Sequence, residues 1–320
     1  MNYKPKYFNP KGSGTEPVSD GSVAFKPAKA KHEDLYIFAP KVILALNVSI
    51  ATGRPLLVSG EPGCGKSSLA KSAAAVLGWR YYHRTVTSRT QAADLLWTFD
   101  ALRRLNDASK QSAKLLPEQY YIEPGALWWA FNPKTAAQRG AKALSKGGVA
   151  AADPGSGPAN ADAAVVLIDE IDKADPDVPN DLLEPFDRKT FTVRETGDEV
   201  AASRKVLMIL TTNRERTMPR AFLRRCVTLD LDTPTQPWLV DIATRRYGRN
   251  ALHEEIAGEV MALRQHARTA NIRQPSTAEY LDAVVAATQL GADRSSGEWS
   301  EVKRALLWKN EAPFPEPKKP

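Results

Sequence analysis

No stretch of eighteen consecutive apolar residues occurs in this chain, so no segment reads as a membrane-spanning helix and bilayer insertion is not expected. Cysteine is scarce: Cys64 and Cys226 are the only two in 320 residues, and they lie far apart. That argues against a disulfide framework and fits a reducing compartment. No internal repeat is visible. The first 31 residues mix lysine, proline, glycine and serine without an apolar centre, so they read as an extended leader and not as a secretory signal. A cytoplasmic location is the resulting expectation.

Apolar residues make up 42% and charged residues 25%, which is ordinary usage for a soluble globular protein with material for a sizeable core. The formal charge of +7 raises nucleic acid as a partner class. Much of the lysine excess lies in the tails, at Lys4, Lys6, Lys11, Lys26, Lys29, Lys31, Lys318 and Lys319. Such runs are more often solvated tails than binding patches.

Four short apolar runs read as buried strands: Pro55 to Ser59, Val165 to Ile168, Val206 to Leu210 and Val227 to Leu231. Trp79 to Val86 is also strand-like. Helical spacing appears over Leu35 to Ile50, interrupted by Pro40, and through Leu69, Ala73 and Leu77 up to Gly78. Thr90 can cap a further helix with Leu95, Phe99 and Leu102 on one face. Lys134 to Ala164 has no clear period and reads as a mobile surface loop. After Pro234 strand signals stop, and Trp238 to Tyr247, Ile256 to His266, Thr277 to Leu290 and Trp299 to Leu307 all read as helices. Near-continuous apolar strands separated by helices imply a parallel sheet covered on both faces. The expected divisions are a flexible leader over 1–33, an α/β nucleotide-binding domain over 34–233 with an insert and loop at about 110–164, a helical lid over 234–310 and a flexible tail over 311–320.

Gly60-Glu61-Pro62-Gly63-Cys64-Gly65-Lys66-Ser67, with Ser68 next, fits the P-loop pattern between a predicted strand and a predicted helix. Glycines let backbone N–H groups turn toward phosphate oxygens where a side chain would clash. The helix N-terminus adds partial positive charge. Lys66 reaches the β- and γ-phosphates, and the Ser67 hydroxyl becomes a Mg²⁺ ligand. Cys64 reads as loop filling, although a thiol beside phosphate is open to oxidation.

Two acids, Asp169 and Glu170, end the apolar run Val165 to Ile168. Ligands bind at that edge of open α/β sheets. Asp169 suits Mg²⁺ through its water shell, and Glu170 is placed to polarise an attacking water. Asn213 ends another strand and can bond that water or the γ-phosphate, although asparagine is also a common turn former. Arg224 and Arg225 lie at a helix end before the last strand. They are poorly placed for their own nucleotide but suited to a neighbour's, where a guanidinium offsets transition-state charge. Arg225 is the first choice and Arg224 the second; surface ion pairing is the plainer alternative for both.

This order of P-loop, Asp-Glu strand, Asn strand and paired arginines, followed by helices, resembles an AAA+ ATPase. Glu123-Pro124-Gly125-Ala126-Leu127-Trp128, Ile171-Asp172-Lys173-Ala174, Leu182-Leu183-Glu184 and Ala221 to Arg225 are similar to the MoxR-like branch. The resemblance implies ATP and Mg²⁺ as cofactors, a homo-oligomeric and hexameric ring, and chaperone-like work on a protein client, with a von Willebrand factor A domain protein as a candidate partner. It also implies an insert within Tyr120 to Ala164 and a hairpin over Phe191 to Gly197 and the run beyond. Many such lids carry an arginine where this chain has Ala278; Arg273 is the nearest cation. Two alternatives stay open: a nucleic-acid motor, for which Trp128, Trp129, Lys134 and Arg139 would line a pore, and a slow regulatory nucleotide switch.

Overall fold

The computed structural model describes residues 5–10, 15–17, 22–26, 35–109, 116–142, 144, 149–291 and 297–309. They form two compact units: Met1–Phe25, Phe38–Ser59 and Ser67–Asp230 in one, and Lys26–Ile37, Gly60–Lys66 and Leu231–Pro320 in the other.

The first unit is built on five parallel strands: β1 (Leu56–Ser59), β2 (Arg80–Thr85), β3 (Ala163–Asp169), β4 (Lys205–Thr212) and β5 (Val227–Asp230). Their spatial order is β5-β1-β4-β3-β2. The two long central strands are buried along most of their length, every residue of β3 from Ala163 to Ile168 included. That is why their sequences read as continuous apolar runs and not as alternating ones. All of these strands were legible in the sequence to within two residues.

Helix α1 (Pro40–Thr52) buries Val42, Ile43 and Leu46. It starts five residues later than its apolar spacing suggested, because Tyr36–Phe38 is extended and Ala39, before the proline, is held at φ −66°, ψ 152°. Helix α2 (Lys66–Leu77) ends at Gly78, whose φ of 66° suits a residue without a side chain.

The helix expected after Thr90 is two helices with a strand between them. Gln91 caps Ala92–Leu96 in a reciprocal box with Asp94, while the Thr90 hydroxyl accepts the Thr87 N–H at 2.9 Å. Trp97–Phe99 then pairs antiparallel with Ile122–Pro124, and Ala101–Ser109 follows as a separate helix. Cross-strand pairing of aromatic and β-branched residues wins here over helical spacing. Leu102 is left 75% exposed, not on a buried face.

The described residues of the stretch from Lys134 to Ala164 are also more ordered than their composition suggested. It opens on a helix, Pro133–Gln138, capped by Asn132 onto the Thr135 N–H at 3.2 Å. Further on, Tyr81 and Ser156 exchange two backbone bonds of 2.9 Å along the outer edge of β2. Asp153 meets the Arg80 guanidinium at 3.1 Å, and Arg80 also donates to the Gly157 carbonyl at 2.7 Å. Gly155 passes so close that a Cβ there would lie 2.6 Å from Arg80 Nε. The loop thereby covers an edge strand that would otherwise offer unpaired backbone.

The expected hairpin is present as Thr190–Thr192 paired with Glu199–Ala201, and it turns through Gly197 at φ 70°. The leader expected over 1–33 is not uniformly extended. Phe8 is fully buried against Phe38, at 5.1 Å between ring centroids, and the Asn47 side chain accepts the N–H groups of Lys6, Tyr7 and Phe8. The tail expected over 311–320 lies outside the described residues.

The second unit contains α3 (Gln236–Tyr247), α4 (Leu252–Ala270), α5 (Thr277–Leu290) and α6 (Gly297–Leu307). They close around Leu239, Ile256, Val260, Tyr280, Val284 and Trp299. Ser276 and Glu279 cap α5 reciprocally. Among the described residues, no helix is long and apolar enough to cross a membrane.

Replacing Asp153 with alanine should release the covering loop. The expected cost is about 1.5–3 kcal/mol, the worth of hydrogen bonds to a charged group, with faster amide exchange at Tyr81. Urea denaturation and hydrogen exchange measure both; unchanged exchange at Tyr81 would show that the loop is held by something else.

Candidate functional site

The glycine-rich loop leaves β1 after Ser59 and enters α2 at Lys66. Gly63 and Gly65 take positive φ, 75° and 96°. Gly63 has a second constraint: a Cβ there would sit 2.6 Å from the Ser276 side chain. Lys66 is buried, and its ammonium donates to the carbonyls of Gly60 at 2.7 Å and Glu61 at 3.0 Å, so it is folded over its own loop. Glu61, Pro62, Ser67 and Ser68 are exposed, and Cys64 is half-buried. Burial raises the Cys64 thiol above its ordinary range, with Lys66 opposing. The thiol is therefore protonated near neutral pH, contrary to what oxidation sensitivity needs.

In the first unit the C-terminal ends of β3 and β4 bring the acids together with their partners. The Ser67 hydroxyl lies 2.9 and 2.8 Å from the two Asp169 oxygens. The Thr211 hydroxyl donates to Asp169 Oδ1 and accepts the Glu170 N–H at 2.8 Å. Burial pushes the Asp169 carboxyl upward, but bonds from His83, Thr211 and Ser67 outweigh it and hold the group below its usual range. An ionised carboxylate beside a hydroxyl is the hard-oxygen donor set that Mg²⁺ takes.

Glu170 adopts φ +60°. A non-glycine residue in that region is strained by about 1 kcal/mol or more, and here the turn separates its side chain from that of Asp169. Asn213 Nδ2 donates to Glu170 Oε1 at 3.2 Å, and Lys173 Nζ meets Oε2 at 2.7 Å. Both carboxylate oxygens are thus engaged.

Four residues of this network carried no role in the sequence reading. His83 Nε2 lies 3.7 Å from Asp169 Oδ2. Thr211 links Asp169 to the Glu170 backbone. Lys173 pairs with Glu170. Asp172, 1% exposed, accepts the N–H groups of Asn213 at 3.0 Å and Glu215 at 2.9 Å through Oδ2, while its buried Oδ1 has no partner. A carboxylate three residues after Asp169 was visible, but its target lies on another strand.

The bonded network does not include the paired arginines. Arg225 donates to Asp187 and to the Ala221 carbonyl, whereas Arg224 is exposed and its guanidinium bonds to no described residue. Arg273 is held by Glu279 at 2.7 Å. Trp128 and Trp129, read as pore-lining in the nucleic-acid alternative, are buried at 0% and 3% exposure, and Arg139 is tied to Glu123. Their aromatic faces are core, because Phe191 and the sheet close over them.

A parallel sheet in this order, with a glycine-rich loop after β1 and an acid pair ending β3, defines a P-loop NTPase of the AAA+ fold. Residues 55–226 match the family model described as "AAA domain (dynein-related subfamily)". That is more than half of the chain, and the protein belongs to this family of AAA+ ATPases. No curated protein matches it. Among solved structures, the RuvB Holliday junction branch migration motor of Thermotoga maritima is similar, with 16% identity over 82% of this chain and 66% of that one and a TM-score of 0.42. A substituted form of the same RuvB gives 17% identity, 83% and 68% coverage and a TM-score of 0.45.

Asp172 positions the loop after β4, so Asp172→Ala should lower kcat for ATP hydrolysis about tenfold or more while nucleotide Kd moves less than about twofold. Asp172→Asn keeps one acceptor oxygen and should fall between. Steady-state kinetics beside equilibrium nucleotide binding measure the split; equal losses in both would mean that Asp172 only supports folding.

Proposed function

We propose that this chain hydrolyses Mg-ATP at the seam between neighbouring copies of a ring and uses turnover to remodel a partner protein, in the manner of a MoxR-like AAA+ ATPase. The observation that carries the reading is the continuous bonded path from Ser67 through Asp169 and Thr211 to Glu170 and Asn213. It joins a phosphate-loop serine, a metal-type carboxylate and a candidate base on adjacent strand ends.

Lys66 would exchange its two loop carbonyls for phosphate oxygens, which bring full negative charge in place of dipoles. Ser67 and Asp169 would hold Mg²⁺, which when bound offsets the charge of the phosphates. Glu170 takes a proton from the attacking water, and Asn213 fixes the direction of that carboxylate. For Glu170 to act as a base, its ion pair with Lys173 has to loosen, since a close cation favours the ionised, unprotonated form. The pairing of Arg225 with Asp187 moves our choice of trans-acting arginine to Arg224, whose guanidinium has no competing acid among the described residues. A protein client is favoured over nucleic acid because the tryptophans that would stack on bases are in the core. A hexameric ring, a cytoplasmic site of action and a von Willebrand factor A domain partner are parts of the same proposal, carried by the MoxR-like resemblance.

Glu170→Gln should lower turnover by about 10²–10⁴ while ATP still binds. Arg224→Ala should lower it by about 10³ or more, and Arg225→Ala by much less. Mixing Glu170→Gln copies with Arg224→Ala copies should recover part of the rate, because some seams then pair an intact base with an intact arginine. A chain that stays monomeric with ATP and hydrolyses it at full rate after both arginines are removed would sink the proposal.

A further inference from the structure

The N-terminal edge of the parallel sheet has a cleft that the reaction outlined above does not use. It measures about 370 Å³, toward the lower end of the roughly 300–1,000 Å³ usual for small-molecule sites. Its walls belong to the first unit alone, with Ile50 near the end of α1, Trp79 just before β2 and Val206 at the start of β4. Asp169 and Thr211 lie at the opposite ends of their strands. The two places are separate.

The charge of this cleft is one-sided. Lys189, Arg204 and Lys205 line it, and no acid among the described residues does. A fourth cation stands beside it, with Lys6 Nζ 5.5 Å from the centre of the Tyr7 ring, which is also part of the lining. Arg204 places its donors on carbonyls and the Tyr82 hydroxyl, so it adds positive field without a free bond. The lysines differ from it. Lys205 is exposed, and its ammonium bonds to no described residue. Lys189 is half-buried, held at φ 57° after the helix Leu183–Arg188, and its ammonium donates to the Phe186 carbonyl. Burial lowers that ammonium to about 8, with Asp187 opposing, and Asp187 is already bonded to Arg225. A half-buried ammonium met by one carbonyl dipole is poorly compensated, and a full negative charge would meet it better.

We propose that this cleft binds a small amphipathic anion, its carboxylate or phosphate head on Lys189 and Lys205 and its apolar body against Ile50, Trp79 and Val206. Lining of one sign without an acid selects against cations and against neutral ligands. The apolar walls favour an organic body over a bare inorganic ion, which would bury no apolar surface. Both head groups suit a pair of ammonium groups, since lysine acts on either as a point charge.

The test is calorimetric titration of the full chain with octanoate, octyl phosphate, inorganic phosphate and octanol, on the parent, Lys189→Met and Lys205→Met. At least one of the two octyl anions should bind the parent about tenfold or more tighter than octanol does, and the tighter one identifies the head group. Each variant should weaken that anion about fivefold or more, while octanol moves less than about twofold. At pH 8 the Lys189 amine is about half unprotonated, so anion binding should take up about half a proton in the parent and none in Lys189→Met. Repeating the titration in buffers of different ionisation enthalpy reads that uptake. Should Lys189→Met fail to fold, Lys205→Met alone decides. Octyl anions that bind the parent no tighter than octanol overturn the site, as does binding within about twofold of the parent in every folded variant. Equal affinity for inorganic phosphate and octyl phosphate overturns it too, because the apolar walls would then contribute nothing.

Discussion

The parallel pairing of β3 with β4 is the constraint on which the candidate site depends. Its register sets Ile168 against Leu210, so the next residues, Asp169 and Thr211, leave the sheet side by side. From that one alignment follow the hydroxyl bond to Asp169, the grip of the same hydroxyl on the Glu170 N–H, and the reach of Asp172 to the loop at Asn213. A slip of one residue would turn every side chain of a strand to the opposite face. Because both strands are buried on both faces, the apolar core enforces the register, and the polar bonds at the strand ends are its consequence.

That dependence explains what the sequence could and could not disclose. Strands and the phosphate loop were legible because each is a local pattern: a run of apolar residues, or glycines at fixed offsets before a lysine. Asp169, Glu170 and Asn213 could be named because they end such runs. Thr211, Lys173 and Asp172 act through neighbours set by strand order, which no local pattern encodes. The same blindness affected Trp128 and Trp129. An exposed aromatic pair and a buried one look alike in sequence, and Phe191 arriving from a hairpin some sixty residues later closes over Trp128. The helix read across Leu95, Phe99 and Leu102 failed for a related reason, since Trp97–Phe99 found a partner strand at Ile122–Pro124.

The arginines show how burial separates scaffold from site. Arg204 donates to the carbonyls of Ala130, Ala161 and Trp129 and to the Tyr82 hydroxyl, and it also lies over the Tyr82 ring. Its donors on all three nitrogens are used, and it reads as a bracket between strand β4 and the segment around Trp129. Arg80 and Arg139 have carboxylates of their own. Arg224, by contrast, is exposed, and its guanidinium bonds to no described residue. A guanidinium held on each of its nitrogens serves the fold itself.

The same test applies to the residues of the phosphate site, with a different result. Lys66 is satisfied by its own loop, and Glu170 by Asn213 and Lys173, so in the proposed reaction both give up an internal bond before they act. Exchanges of that kind are nearly balanced, because a bond is lost for each one made, and the net gain comes from the larger charge of the incoming partner.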